Sequence, residues 1–254
     1  MDTLSSSLTS AEDDFKLGAI LSSVFRLIKK FIKEIIIIGA VIYIPINVIL
    51  EFVTKTSTNE MSIEYLKRYH QFDQVFDSLL GIIASISFII IIQNFLETQE
   101  KMSWQVAIKK SVAIWPRVFT TQIVQTIFLS FLFLLLIVPG FIYSVYWALV
   151  VPIVVVLGKV NTDALNCSKK LVKGKWGKVF LFFCVFFALS LSLSLAVALV
   201  MELLFWFLSG YMVMGVVNGV LTDFIFIIPT VGSLLVFRHL QKEQESKVRI
   251  YPEE

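Results

Sequence analysis

The chain is 254 residues long, 57% hydrophobic and only 16% charged, with a net charge of +3. Soluble domains carry about 25% charged residues, so this chain has too little charge to coat a globule of its size. The balance excludes a disordered, collagenous or coiled-coil chain. It also excludes a soluble enzyme, because the apolar runs are spread along the whole length, and leaves an all-α, multi-pass membrane protein.

A helix needs roughly 20 apolar residues to cross a bilayer core. Residues 1–14 form a polar tail holding Asp2, Glu12, Asp13 and Asp14. No apolar run precedes residue 35 or so, which excludes a cleavable signal peptide and predicts that the first span acts as an uncleaved signal anchor. An amphipathic stretch then places Leu17, Ile20, Leu21, Val24, Phe25, Leu27 and Ile28 on one helical face. Ser22, Ser23, Arg26, Lys29 and Lys30 take the other. Spans are predicted at about 34–53 and 76–96. A second amphipathic stretch has Trp104, Ile108, Val112 and Trp115 on one face, away from Gln105, Lys109 and Lys110, with Ser103 as its N-cap. Spans at about 118–138 and 141–158 follow, separated only by Pro139-Gly140, and read as a tight hairpin. Merging them would give a helix of about 60 Å, twice a bilayer core. A third amphipathic stretch sets Ala164, Leu165, Ser168, Leu171 and Val172 against Lys169, Lys170 and Lys173, with Thr162 as its N-cap. The last hairpin joins 179–207 to 212–237, and Phe205, Trp206, Phe207 and Tyr211 cluster there as an interfacial belt. One domain covers 15–240, and 241–254 is a charged tail.

The bases fix the expected orientation. Lys16, Arg26, Lys29, Lys30 and Lys33 precede the first span, and Lys55, Lys67 and Arg68 follow it. Lys101, Lys109, Lys110 and Arg117 precede the third, and Lys159, Lys169, Lys170, Lys173, Lys175 and Lys178 the fifth. Arg238, Lys242, Lys247 and Arg249 close the chain. With six spans, 19 bases fall on one side and three on the other. The positive-inside rule then puts both termini in the cytoplasm, in the cell's inner membrane. Five or seven spans would abolish the asymmetry.

A threefold pattern underlies this order. Each amphipathic stretch ends in an aromatic, a spacer and a base: Phe31-Ile32-Lys33, Trp115-Pro116-Arg117 and Trp176-Gly177-Lys178. Each reads as a cytoplasmic interfacial helix, an elbow and a membrane hairpin. The apolar face is expected on the acyl boundary, the aromatic at headgroup depth and the base on lipid phosphate.

Polar groups inside a bilayer are the usual pointers to function. Asp223 falls about halfway along the last span, and folding the hairpin sets Glu202 level with Asn218. These three form either a proton- or cation-coupled site or a polar lock between helices. Gln122, Gln125 and Thr126, with Gln93, Asn94 and Asn47, either line a crevice or bond to neighbouring helices; the second is preferred. Pro45, Pro152 and Pro229 fall in the first, fourth and sixth spans and do not match between units, which weakens a transporter reading. Gly215 and Gly219 form a GxxxG pattern near Gly210, which points to a homodimer.

Catalytic chemistry is scarce. No HExxH, GxSxG, Walker A or GxGxxG occurs. His70 and His239 fall on opposite sides of the expected membrane. Cys167 lies near Lys169 and Lys170 without a histidine placed to serve it, and no disulfide with Cys184 is expected. No cofactor, metal or nucleic acid is implied. Lys169, Lys170, Lys173, Lys175 and Lys178 lie beside the expected cytoplasmic leaflet, where each adds about 1 kcal/mol of attraction to anionic lipid.

Ile137 to Tyr143 (IVPGFIY), Val150-Val151-Pro152, Asp163 to Trp176 (DALNCSKKLVKGKW) and Phe15 to Leu27 resemble a bacterial membrane family. It is the membrane domain fused to some glycerophosphoryl diester phosphodiesterases, found alone in YciC-like inner-membrane proteins. The resemblance runs from about 15 to 240 and implies a helical membrane domain. The phosphodiesterase barrel is not in this sequence, so that activity does not carry over, and Cys167 and Lys169 depart from the Arg- or Trp-like residues more usual there. The expected function is non-enzymatic work at the cytoplasmic leaflet, in lipid homeostasis or with a protein partner. The alternative is a permease for an amphipathic molecule.

Overall fold

The computed structural model describes residues 17–55, 71–72, 75–208 and 211–250. The fold is all-helical, with no strand among the described residues. In chain order it runs α1 (Leu17–Lys30), α2 (Ile32–Lys55), a π turn (Asp77–Gly81), α3 (Ile82–Thr98), α4 (Trp104–Leu135) and α5 (Ile137–Tyr146). Then come α6 (Val150–Leu157), α7 (Asn161–Val172), α8 (Trp176–Leu208), α9 (Tyr211–Ile225) and α10 (Ile227–Ile250). Six helical segments are long and apolar enough to cross a membrane: Ile32–Leu50, Ser78–Thr98, Trp104–Leu135, Ile137–Leu157, Trp176–Leu204 and Val216–Ser246.

The spans divide into an inner and an outer set. In the most apolar stretch of each, 61%, 44% and 56% of residues are buried in the second, fourth and sixth spans, against 33%, 11% and 11% in the first, third and fifth. The even spans α3, α6 and α10 pack on one another and form the core. Phe88, Ile92, Ile153, Val231 and Phe237 are 2% exposed or less there. The odd spans present Phe131, Leu134, Leu195 and Leu203 outward, as a hydrocarbon solvent permits.

Every inner span departs from a regular α-helix, the second by a π segment and the other two by a break. The π turn precedes α3, Trp147–Leu149 separate α5 from α6, and Phe226 separates α9 from α10. The resumed helices begin Ile82-Ile83-Ala84, Val150-Val151-Pro152 and Ile227-Ile228-Pro229. Pro152 and Pro229 therefore hold the same third position, where a missing N–H is tolerated but the preceding helix cannot continue. They match after all, in the second and third units. Ala84 takes that place in the first. The distance from Phe31 to Ala84 equals that from Trp176 to Pro229, 53 residues.

The amphipathic stretches do not behave as expected. In α1, Ile20, Ser23, Val24 and Leu27 are buried against the protein, and in α7 Ala164, Leu165, Ser168, Leu171 and Val172 are too. Their apolar faces dock on α10 and on α4 and α6, not on an acyl boundary. In the second stretch the buried face is Ala107 and Ser111, while Val112 is 52% exposed. Small residues there let α4 approach α3, and the Ser87 and Ser111 hydroxyls share a 2.8 Å hydrogen bond. Counting back from Phe31, Trp115 and Trp176, the eighth residue is Ser23, Ala107 or Ser168, and the fourth Leu27, Ser111 or Val172; all six are 3% exposed or less. Each unit thus docks on the inner span of the unit before it, and the first docks on the last.

Two elbows exist and one does not. The chain turns at Phe31, and again at Lys173–Lys175 with Gly174 at φ +84°. At Pro116 the helix runs straight through, so Trp115 and Arg117 lie inside the 32-residue α4. Phe31 is fully buried against Phe95, at a centroid distance of 5.3 Å, and not at a surface. Trp115 and Trp176 stack on Phe119 and Phe180 one turn later. Their indole N–H groups donate to the carbonyls of Leu79 and Ile142, each in the even span of the preceding unit.

Three smaller expectations change. The second hairpin turns at Leu136 (φ −154°), which leaves Pro139 in the first turn of α5, where proline is at home. Gly140 lets the two helices close, since a Cβ there would lie 2.5 Å from the Phe133 ring. Val160, not Thr162, precedes α7, and Ser103 holds the N-cap position of α4 without a side-chain cap bond. Helix α10 continues through the expected tail to Ile250.

Candidate functional site: an amide–acid contact and two sets of lysines

Helix α2 passes against α9 because Gly39 has no side chain. A Cβ there would fall 2.3 Å from the Phe224 ring, which in turn lies edge-on to Tyr43. One turn beyond Tyr43, Asn47 is 1% exposed. Its Nδ2 donates to the Tyr43 carbonyl at 3.0 Å and to Asp223 Oδ2 at 2.8 Å. Asp223 stands near the end of α9, where its own carbonyl accepts from Phe226 N at 3.2 Å. Pro229 has no N–H to give the Ile225 carbonyl. An acid thus sits beside the C-terminal carbonyls of a half-helix, the negative end of its dipole.

The expected trio is only partly assembled. Asp223 meets Asn47 of the first span, a partner the sequence assigned to a separate crevice. Asn218, on the same helix, has a buried Oδ1 with no hydrogen-bond partner among the described residues. Glu202 is exposed on α8. The Asn47 partnership carries no sequence signal beyond a polar residue in an apolar run, because it joins residues 176 positions apart.

Elsewhere the polar groups bond within their own helix or to a neighbouring one. Gln125 donates to the Trp147 carbonyl at the break between α5 and α6, at 3.3 Å. Gln93 donates to Glu97 and accepts from Arg238 at 3.0 Å. Asn94 donates to Thr98 and to the Glu100 carbonyl. Ser192 bonds back to Ala188, whereas the buried Ser190 hydroxyl finds no partner among the described residues.

The basic set divides. Lys169 donates to the Tyr143 hydroxyl at 3.0 Å and lies 4.8 Å over that ring. Lys175 pairs with Glu243 at 2.6 Å. Lys170, Lys173 and Lys178 are exposed, as are Lys33, Lys109, Lys110 and Arg117. The first turns of α7 sit on α4, where Asn161 N donates to Thr121 Oγ1 at 2.9 Å. Lys159 reaches the Cys167 sulfur at 3.6 Å over a cavity of about 470 Å³ also lined by Leu171, Gln241 and Glu245. Cys167 and Cys184 are free thiols. His239 is buried in α10, while His70 and Gly210 lie outside the described residues, as do the side chains of Phe205, Trp206, Phe207 and Tyr211.

No family model, curated protein or solved structure matches the chain.

Proposed function

We propose that the protein is an inner-membrane protein with both termini in the cytoplasm, which binds anionic lipid at the cytoplasmic leaflet. In this reading it serves lipid homeostasis or a membrane partner and performs no reaction of its own. The observation that carries the reading is the exposure of Lys109, Lys110, Lys170 and Lys173, left outward while Lys169 and Lys175 turn to Tyr143 and Glu243. Four such charges add about 4 kcal/mol of attraction to an anionic leaflet, at roughly 1 kcal/mol each. The resemblance of the 137–143 and 163–176 segments to the stand-alone membrane domains supports the same reading.

A second reading rests on Asn47 and Asp223. Broken helices at matched positions of internal repeats mark transporter sites, and here the acid lies at one such break. On this reading the protein is a permease for an amphipathic molecule, coupled through Asp223.

One experiment separates the two. The full chain in nanodiscs containing phosphatidylglycerol is examined by native mass spectrometry. Replacing Lys109, Lys110, Lys170 and Lys173 with glutamine is expected to strip most retained phosphatidylglycerol, and Asp223→Asn to leave it in place. Retention unchanged by the four substitutions would refute the leaflet reading. A discrete ligand lost only from Asp223→Asn would establish the permease reading instead.

A further inference from the structure

At the end of the first two spans, two buried rings carry two ammonium groups. Phe31 and Phe95 are 0% and 4% exposed and meet edge to face. Lys30 Nζ lies 3.5 Å above the centroid of Phe95, and Lys101 Nζ lies 5.8 Å from that of Phe31. The carboxylate at this place is Glu34: its Oε1 is 3.9 Å from Lys101, and its Oε2 is buried with no hydrogen-bond partner among the described residues. Glu97, on the turn of α3 beside Phe95, is held by Gln93. Among the described residues, Glu34 is the one carboxylate that pairs with either ammonium group.

The internal repeat sharpens the point. Lys30 immediately precedes Phe31, as Lys175 immediately precedes Trp176. Lys175 pairs with Glu243 of α10. The residue of α3 that corresponds to Glu243, 145 positions earlier, is Thr98, whose hydroxyl is engaged with the Asn94 carbonyl. The first unit keeps the lysine and lacks the carboxylate. Among the described residues no acid pairs with Lys30. Burial, and then the charge of Lys101, push its ammonium below the usual lysine range. A bound anion would oppose both effects by pairing with the charged form.

We propose that Lys30 and Lys101, held on the contacting rings of Phe95 and Phe31, bind one phosphate group, that of a lipid headgroup or a free phosphate, at the end of the first two spans. The two ammonium groups supply charge-assisted hydrogen bonds to its oxygens. The aromatic floor fixes their height, and Glu34 holds Lys101 in place. This site rests on the leaflet reading above only for its orientation toward the cytoplasm.

The test uses the detergent-solubilised full chain titrated separately with dihexanoyl phosphatidylglycerol and with inorganic phosphate, each adduct counted by native mass spectrometry. Wild type is expected to form a one-to-one adduct. Lys30→Gln with Lys101→Gln is expected to weaken it by at least about tenfold, the scale of losing one charge-assisted hydrogen bond. Lys101→Gln alone, at a side chain 57% exposed, is expected to weaken it measurably, and the double arginine variant to restore it. Weakening toward the lipid alone assigns a headgroup; weakening toward both assigns the phosphate itself. Adducts unchanged in Lys101→Gln and in the double glutamine variant would overturn the site. Such a failure, with phosphatidylglycerol still lost from the variant neutralised at Lys109, Lys110, Lys170 and Lys173, would leave the leaflet reading standing.

Discussion

Leu27→Ala is expected to destabilise the detergent-solubilised protein by about 2–5 kcal/mol, the cost of emptying a fully buried leucine site. Leu27 is 0% exposed on the face of α1 that docks on α10. Phe25, on the same helix, is 44% exposed, so Phe25→Ala is expected to shift stability by less than about 1 kcal/mol. Unfolding midpoints of the two variants measure the difference. Were α1 an interfacial helix lying on the micelle, the two substitutions would cost similar amounts. The contrast thus tests whether the amphipathic faces are protein core or membrane anchors.

Gly232→Leu is expected to be damaging too, for the opposite reason. A Cβ at Gly232 would lie 2.9 Å from the rings of both Phe182 and Phe186. Those rings are 0% exposed and tilted against each other at 4.2 Å, so neither has room to yield. Overpacking of this kind costs about 1–3 kcal/mol, and a leucine here forces α8 away from α10. Gly177→Ala is the control. Its Cβ would meet nothing within 4 Å, and alanine in a helix gains roughly 0.5–1 kcal/mol over glycine. A thermal melt in which Gly232→Leu matched Gly177→Ala would contradict the packing of these two spans.

The number and approximate limits of the membrane-length helices were legible in the sequence because hydrophobic length is a one-dimensional signal. The places where helices break were legible only in part. Proline marks an obstacle but does not say whether the helix bends, breaks or passes: Pro116 is absorbed within α4, Pro139 starts α5, and Pro152 and Pro229 follow breaks. Read by span number, the prolines did not match. Read by unit, Pro152 and Pro229 coincide, because what repeats is the inner span. The amphipathic stretches showed the limit of periodicity. A 3.6-residue pattern says that one face is apolar, not whether lipid or protein covers it. Leu27 and Val172 are covered by protein. In the second stretch the buried face is built from Ala107 and Ser111, whose small size hid it behind the larger Trp104 and Ile108.

The polar sites followed the same logic. Charge balance along the chain gave an expected side for the lysines, because charge segregation is also one-dimensional. Which of them stay free was not legible, since Tyr143 and Glu243 reach Lys169 and Lys175 from 26 and 68 residues away. Asp223 was recognisable as an acid in an apolar run. Its contact with Asn47 depends on Gly39 admitting Phe224, a tertiary event.

The leaflet reading stands on all the exposed bases facing one side of the membrane. Single cysteines at Lys33, Lys110 and Lys170, in a background with Cys167 and Cys184 replaced by serine, test this most directly. The account predicts that none reacts with a membrane-impermeant maleimide added outside sealed cells, and that all three react in inverted vesicles. Labelling of any one of them from outside would split the basic set across the bilayer and contradict the account.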